Sequence, residues 1–318
     1  MIEDLDIHLV QSRQWGEFKQ QMGTRAVTVG EIQFTKHKIP FLPFYVGYAP
    51  KVNFIKQKFT WQELKDAAAN EQCLFIRFDV PNVLKSSIRK ESAAQTVSEV
   101  EKRCTRSPRS TFTKYNVLLD ISPPEEKIIA NFTSKTRYNS RLASKRGVTV
   151  KLENNETGLK IFNELHKITA KRQHFLPHSE EYYTKVFNTL YADNMANILV
   201  AYFEDKAQAT WMLLNYKDTI YYPYGGSVTE NRSLMASNLM AWEAIKLGKR
   251  LGCRMFDMWG ATNKRDHPYW GFTKFKLGYG GELFEYIDSY DFVVNPLYYL
   301  FNLTYGAFWK LQDMRRKV

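Results

Sequence analysis

One succession of elements is legible twice in this chain, once on either side of residue 111, and it narrows the fold sharply. Each time a helix leads into strands joined by short turns, then a second helix, then a further strand. That order builds mixed sheets with helices packed on them, not an all-β or all-helical core. In the first half, 11–21 reads as a helix with Trp15 and Phe18 on one face. Ala26–Val29 and Phe41–Val46 read as strands, Trp61–Asn70 as a helix and Leu74–Asp79 as a buried strand. Glu91–Cys104 reads as helix, and 111–121 returns to the alternation of a strand. The second half opens with Ser122-Pro-Pro-Glu125, where Ser122 suits a cap, Pro123 the first turn and Glu125 a capping box. Lys135–Arg146 reads as a helix stopped by Gly147. Leu159–Arg172 carries Ile161, Leu165 and Ile168 at helical spacing. Strands are expected at Ile198–Phe203, Ala207–Tyr216 and Thr219–Gly225, then a long helix, Leu234–Leu251, and a strand, Met255–Met258. The pattern repeats but the sequence does not. A chain of 318 residues has room for two such units.

Composition bounds the partners. A net charge of +12 favours a polyanion, meaning RNA, a phosphorylated substrate or an anionic membrane surface, although a merely basic protein has the same composition. Cys73, Cys104 and Cys253 are isolated and form no Cys-x-x-Cys, so neither a disulfide framework nor a zinc site is expected. His174 and His178 are four apart, but Pro177 breaks the helix that would align them, so no metal is expected. The start, Met-Ile-Glu-Asp-Leu-Asp, does not read as a signal peptide, and no run of 18 apolar residues occurs. The cytoplasm is the expected location.

Three stretches carry candidate chemistry. In Tyr269-Trp-Gly-Phe-Thr-Lys-Phe-Lys276-Leu-Gly-Tyr-Gly-Gly281, lysines lie among aromatics and glycines. Aromatics that exclude water strengthen an ammonium's hold on developing negative charge; a β-hairpin with ordinary lysines also fits the spacing. Lys135, Arg137, Arg141, Lys145 and Arg146 crowd one helix without acidic neighbours, and three of them share a face. Such a stripe suits phosphates, of tRNA or of a nucleotide diphosphate, and equally suits a solvated face. Ahead of the long helix, Glu230–Asn238 contains no glycine, so it lacks the loop with which coenzyme A enzymes hold a pyrophosphate. No Gly-x-Ser-x-Gly occurs, so nucleophilic catalysis by the enzyme has no obvious agent. The C-terminal stretch from Asn295, aromatic and then basic, suits either an interfacial helix or one packed on the first unit.

Trp15-Gly-Glu-Phe-Lys19, Ile76-Arg-Phe-Asp79, Lys135–Val148, Tyr221-Tyr-Pro-Tyr-Gly-Gly-Ser227, Phe256-Asp-Met-Trp-Gly260 and Phe275-Lys276, taken in order, resemble the FemABX-type peptidoglycan bridge-forming aminoacyltransferases. The resemblance implies two tandem acetyltransferase-like (GNAT-type) units with mixed sheets. Residues 1–110 plus 288–318 would form the acceptor side, and 111–287 would carry the catalytic lysine and basic helix. No heptad run appears, so this resembles the form without a coiled-coil arm. The implied reaction moves an amino acid from aminoacyl-tRNA to the amine of a UDP-linked (UDP-MurNAc-pentapeptide) or lipid-linked (lipid II) precursor, without a cofactor, with contact at the inner membrane surface compatible. Carried over residue by residue, Lys276 after Phe275 matches the lysine that stabilises the tetrahedral intermediate, and Asp79 a carboxylate near the acceptor that could act as base. Lys19 matches a contact to the acceptor's phosphates, and Tyr182, Tyr222 and Tyr224 the lining of its groove. His178 stands where the family has an arginine, a role Arg172 could fill, and Tyr48-Ala-Pro-Lys51 departs from the family strand. A related acyltransferase with another donor, or a non-catalytic RNA- or membrane-binding module, are the alternatives.

Overall fold

A computed structural model describes Ile2 and Leu5–Leu303. The chain divides into two compact units: a middle unit, Tyr115–Glu285 together with Met1–Ile2, and a flanking unit, Glu3–Lys114 and the residues from Tyr286 on.

In the flanking unit, α1 (Arg13–Gln21) is capped by Ser12, whose side chain accepts from Trp15 N. β1 (Ala26–Val29), β2 (Ile32–Lys38) and β3 (Tyr45–Pro50) form a meander. α2 (Trp61–Asn70) then crosses to β4 (Cys73–Asp79), which pairs parallel with β3. α3 (Glu91–Arg103) and β5 (Thr105–Arg106) follow, and β13 (Tyr290–Val293) returns between β4 and β5. Every residue of β4 is buried, as its apolar run requires.

The middle unit begins with β6 (Tyr115–Asp120), α4 (Glu125–Ala130), α5 (Ser134–Lys145) and β7 (Thr149–Leu152). α6 (Glu156–Gln173) and α7 (Glu180–Tyr191) precede a second meander, β8 (Ala196–Phe203), β9 (Lys206–Tyr216) and β10 (Thr219–Ser227). α8 (Ala236–Arg250) crosses to β11 (Met255–Ala261), parallel to β10, and α9 (Trp270–Leu277) leads to β12 (Glu282–Glu285). The sheet order is β12-β6-β11-β10-β9-β8-β7. Both units thus share meander, crossover helix and parallel strand. Among the described residues the longest helix is α6, at 18 residues, so no coiled-coil arm is present there. Among them, too, no helix is long and apolar enough to cross a membrane.

The structure corrects several local readings. β2 is a strand beyond those expected from the sequence, and Gly30 with φ 55° makes the tight turn that starts it. The strand expected at Phe41–Val46 starts at Tyr45, because Phe41 is left-handed (φ 64°) and Pro43 cannot donate to a ladder. Ser122 caps nothing; its hydroxyl donates to Asp120 at 2.6 Å, and the helix starts after Pro124 because Pro123, preceding another proline, is pushed out of the helical region. In α6 the buried residues include Phe162, Leu165, His166 and Thr169, whereas Ile168 is exposed. Tyr269–Gly281 is not a hairpin: it contains α9. α7 is a helix beyond those expected from the sequence; Ser179 caps it, and Glu180 and Glu181 in its first turn favour a helix start.

Candidate functional site

A cavity of about 380 Å³ opens in the middle unit where α6, β9, β10, α8 and α9 converge. Its wall includes Arg172, Trp211, Tyr222, Ser237, Phe275 and Lys276. Pairing of β10 with β9 shifts register between Tyr221 and Tyr224, a bulge at Pro223, which has no N–H to give the ladder. Tyr222 lies stacked on Trp211, centroids 3.6 Å apart. Gly226 then lets α6 come close, since a Cβ there would sit 2.5 Å from His166 N. The Arg172 guanidinium fastens this corner by donating to the carbonyls of Ser227 and Val228 at 3.0 and 2.9 Å and to the Ser227 hydroxyl at 2.9 Å. These bonds tie Arg172 to its own chain, which limits what it can give a phosphate.

Lys276 sits on α9 with only 7% of its surface exposed. Its Nζ donates to the Gly260 carbonyl at 2.6 Å, on the far side of a second bulge. Here β11 slips register against β6 between Asp257 and Gly260, and Trp259 takes a left-handed φ of 65°. The buried Asp257 holds that turn: its Oδ1 accepts from Trp259 N at 2.7 Å, and Asn116 donates to both carboxylate oxygens at 2.9 and 3.0 Å. Burial pulls the Lys276 pKa down to about 8, and the Asp257 charge opposes the drop. The arrangement places an ammonium, poorly solvated, at the wall of an aromatic cavity. Such a group can stabilise an oxyanion or pass a proton near neutral pH.

Beside the cavity, His166 organises the tyrosines. Its Nδ1 lies 2.9 Å from the Gly225 carbonyl, which can only accept, so this nitrogen carries the proton. Nε2 then accepts from the Tyr183 hydroxyl at 2.8 Å, which in turn accepts from His178 N at 3.1 Å. Burial lowers the His166 pKa, in keeping with this neutral form. His178 stacks on Tyr182 at 3.9 Å, and the Tyr182 and Tyr224 hydroxyls are 3.3 Å apart. Burial raises the pKa of Tyr182, and that of Tyr224 further still. His166, Asp257 and Trp211 were not singled out by sequence; the only signal was Asp257's place in Phe256-Asp-Met-Trp-Gly260.

The remaining candidates fall elsewhere. Lys19, in the flanking unit, lies over Trp15 and Phe18, 5.6 and 5.2 Å from the ring centroids, and burial lowers its pKa. Asp79, also there, accepts from the Tyr48 hydroxyl (2.7 Å), the backbone of Thr111 and Phe112 (2.9 Å each) and the Ser289 hydroxyl (2.9 Å). Those four donors make it a framework carboxylate and argue against the role of base. On α5, Arg137 does not join a phosphate stripe: it donates to the carbonyls of Ala130 and Phe132, closing the end of α4. Arg146 donates to the Ser233 carbonyl. Lys135, Arg141 and Lys145 are exposed, with no hydrogen-bond or ion-pair partner among the described residues. His174 ends α6 in the left-handed conformation.

Fold and cavity define a protein of two tandem acetyltransferase-like units. The model of the FemAB family matches residues 3–210 and 204–305, and the chain belongs to that family. It is similar to the lipid II:glycine glycyltransferase of Staphylococcus haemolyticus, 25% identical over 382 residues that cover 92% of this chain and 90% of that protein. The Staphylococcus epidermidis lipid II:glycine glycyltransferase is likewise 25% identical, over 92% and 89% of the two chains. Among solved structures, a crystal structure of FemX superposes with a TM-score of 0.81 at 21% identity, covering 93% of this chain and 94% of that one. An alignment of 382 positions exceeds the 318 residues present, so the relative carries inserted segments that this chain lacks. As a member of this family the chain is an enzyme, an aminoacyltransferase; the substrates in its relatives' names are theirs.

Proposed function

We propose that the protein moves an amino acid from an aminoacyl-tRNA to the amine of a peptidoglycan precursor peptide, with the lipid-linked form as the favoured acceptor. The observation that carries this reading is Lys276, an ammonium held at the cavity wall with its pKa pulled to about 8. An aminoacyl ester is already activated. The acceptor nitrogen attacks the ester carbonyl carbon, the C=O electrons become an oxyanion, and the bond to the ribose oxygen then breaks. The amine's proton leaves to that ribose oxygen. What the enzyme must add is alignment and charge stabilisation. Lys276 is the oxyanion's partner, Phe275 and the Trp211–Tyr222 stack keep water away, and Asp257 orients the carbonyls that hold Lys276. Tyr182, Tyr224 and His178 are assigned to the acceptor peptide, Lys19 to acceptor phosphates, and Lys135, Arg141 and Lys145 to the tRNA backbone. The relatives' printed names support the lipid-linked acceptor, and the glycine-free stretch before α8 supports a donor other than acetyl-CoA.

The test offers charged tRNAs and acetyl-CoA against soluble and lipid-linked precursors, with transfer followed by mass spectrometry. Aminoacylated precursor is expected only with charged tRNA. Acetylated product, or no product with any charged tRNA, would discard the reading.

A further inference from the structure

Aromatic side chains reach the surface in two stretches that the sequence singles out. One is the stretch from Asn295. Residues 297–303 are helical, and Tyr298 and Phe301 turn inward onto Phe75, with ring centroids 5.0 and 5.8 Å away. That part packs on its own unit, and the rest, from Thr304, lies outside the described residues. The other is the mouth of the cavity that holds Lys276. The exposed part of its wall is Pro268, Gly271 and Phe272. Phe272 is 43% exposed, and Tyr269, 6.3 Å away between ring centroids, is 47% exposed. Their planes are inclined at 56°, so neither ring covers the other. The turn that carries them is fixed from below. Thr273 is fully buried and its hydroxyl accepts from Thr262 N at 3.0 Å, while His267 Nδ1 accepts from Tyr269 N at 3.1 Å. At Gly271 a Cβ would meet nothing within 4 Å, so the space at the mouth is open. Two aromatic rings are thus held in water by a well-anchored turn, beside the reactive lysine, and core packing gives no reason for it.

Reach and charge select the occupant. Phe272 and Lys276 are four residues apart on α9 and line the same cavity. Four helical residues rise about 6 Å. An ester carbonyl held at Lys276 therefore leaves the ribose that carries it about one helical turn from Phe272, and the base on that ribose reaches the mouth. Every nucleobase has a flat π-face that stacks on an exposed aromatic ring. The charge nearby in sequence has the sign a strand needs: Lys264, Arg265 and Lys274 are exposed, and Asp266 is the one acidic residue from 262 to 281. The residues assigned to the acceptor peptide, His178, Tyr182 and Tyr224, belong to α7, the turn before it and β10, which leaves α9 to the donor. We propose that Phe272 and Tyr269 form a stacking platform for the unpaired 3′ nucleotides of the aminoacyl-tRNA, with Lys264, Arg265 and Lys274 serving its phosphates. The inference rests on the donor proposed above, and it adds a seat for the end of the RNA that is separate from the exposed cations of α5.

The full chain is titrated with an uncharged tRNA that keeps its unpaired 3′ nucleotides and with the same tRNA trimmed to a blunt stem. Because uncharged RNA is scored without transfer, failure of this inference and failure of the transfer reading are seen separately. Wild type is expected to bind the intact tRNA about tenfold more tightly than the trimmed one. Phe272→Leu with Tyr269→Leu keeps apolar bulk but removes the π-faces. It should weaken binding of intact tRNA about tenfold and leave trimmed tRNA unaffected. Phe272→Trp keeps a π-face and should bind as wild type does. Both side chains are about half exposed, so the melting transition should not move. Equal binding of the two tRNAs by wild type, or a loss that the trimmed tRNA shares, would overturn the proposal. So would a double variant that binds RNA normally but needs more acceptor to reach half its rate, which would give the rim to the acceptor. Loss of intact-tRNA binding in Arg232→Gln and not in the ring variants would also overturn it, by running the strand through the neighbouring groove lined by Gln208, Asn231 and Arg232.

Discussion

Replacing Lys276 with Met should make the protein more stable and nearly inactive, and the two effects share one cause. Burial lowers the Lys276 pKa from 10.5 to about 8, which corresponds to roughly 3 kcal/mol against the charged form. At 7% exposure the side chain has little water to screen that cost. Met keeps most of the apolar stem and removes the charge, but it leaves the Gly260 carbonyl without its donor, a loss of about 1–2 kcal/mol. A net gain of about 1–2 kcal/mol is expected near neutral pH. The pH dependence follows from linkage. Between about 8 and 10.5 the unfolded chain keeps the Lys276 proton while the folded chain has released it, so wild-type stability rises with pH across that window. The variant lacks this rise, and its advantage should disappear as pH approaches 10.5. Turnover should fall by about 100-fold or more, as on losing one oxyanion stabiliser. Denaturant unfolding of both proteins across the window, beside transfer rates, measures each part. A stability difference that stays constant with pH would refute the buried charge, and near-normal turnover would remove Lys276 from the chemistry.

If the ammonium is the working form, turnover should decline as pH rises through about 8, and Asp257→Asn should move that decline to lower pH, because the carboxylate holds the Lys276 pKa up; an unmoved limb in the pH profile would separate Asp257 from Lys276. Gly226→Ala should cost on the order of 1–3 kcal/mol in denaturant unfolding, because its Cβ meets α6 backbone 2.5 Å away; no loss would mean that α6 can retreat. Arg141→Gln with Lys145→Gln should flatten the salt dependence of tRNA binding by about two counterions, whereas Arg137→Gln should destabilise α4 and leave the slope alone. Parallel slopes for the first pair would make that face merely solvated. Lys19→Ala should weaken acceptor affinity and spare tRNA; a defect confined to tRNA would reverse the assignment.

Local chemistry alone determined much of this protein. The alternation of apolar positions and the breakers between them placed α2, α3, α5, α8 and the meander β8–β10 to within a few residues, because each buries one face and stops at a cap or turn. The twice-repeated order of elements was legible for the same reason. Phe275-Lys276 stood out in sequence because lysine is an unusual neighbour for so many aromatics. Tertiary structure decided what those residues do. Arg137 and Arg141 are alike on a helical wheel, yet one closes α4 and the other has no partner among the described residues, because Arg137 faces the carbonyls ending α4. In sequence Asp79 matches a carboxylate that could act as base; in the structure Tyr48, Thr111, Phe112 and Ser289 converge on it from distant segments. The low pKa of Lys276 comes from burial, and the bulge whose carbonyl it meets is held by Asp257, itself bound to Asn116 from 141 positions away in sequence. Periodicity reports which face of an element is apolar, but desolvation and hydrogen-bond partners are set by whatever the rest of the chain packs against that face.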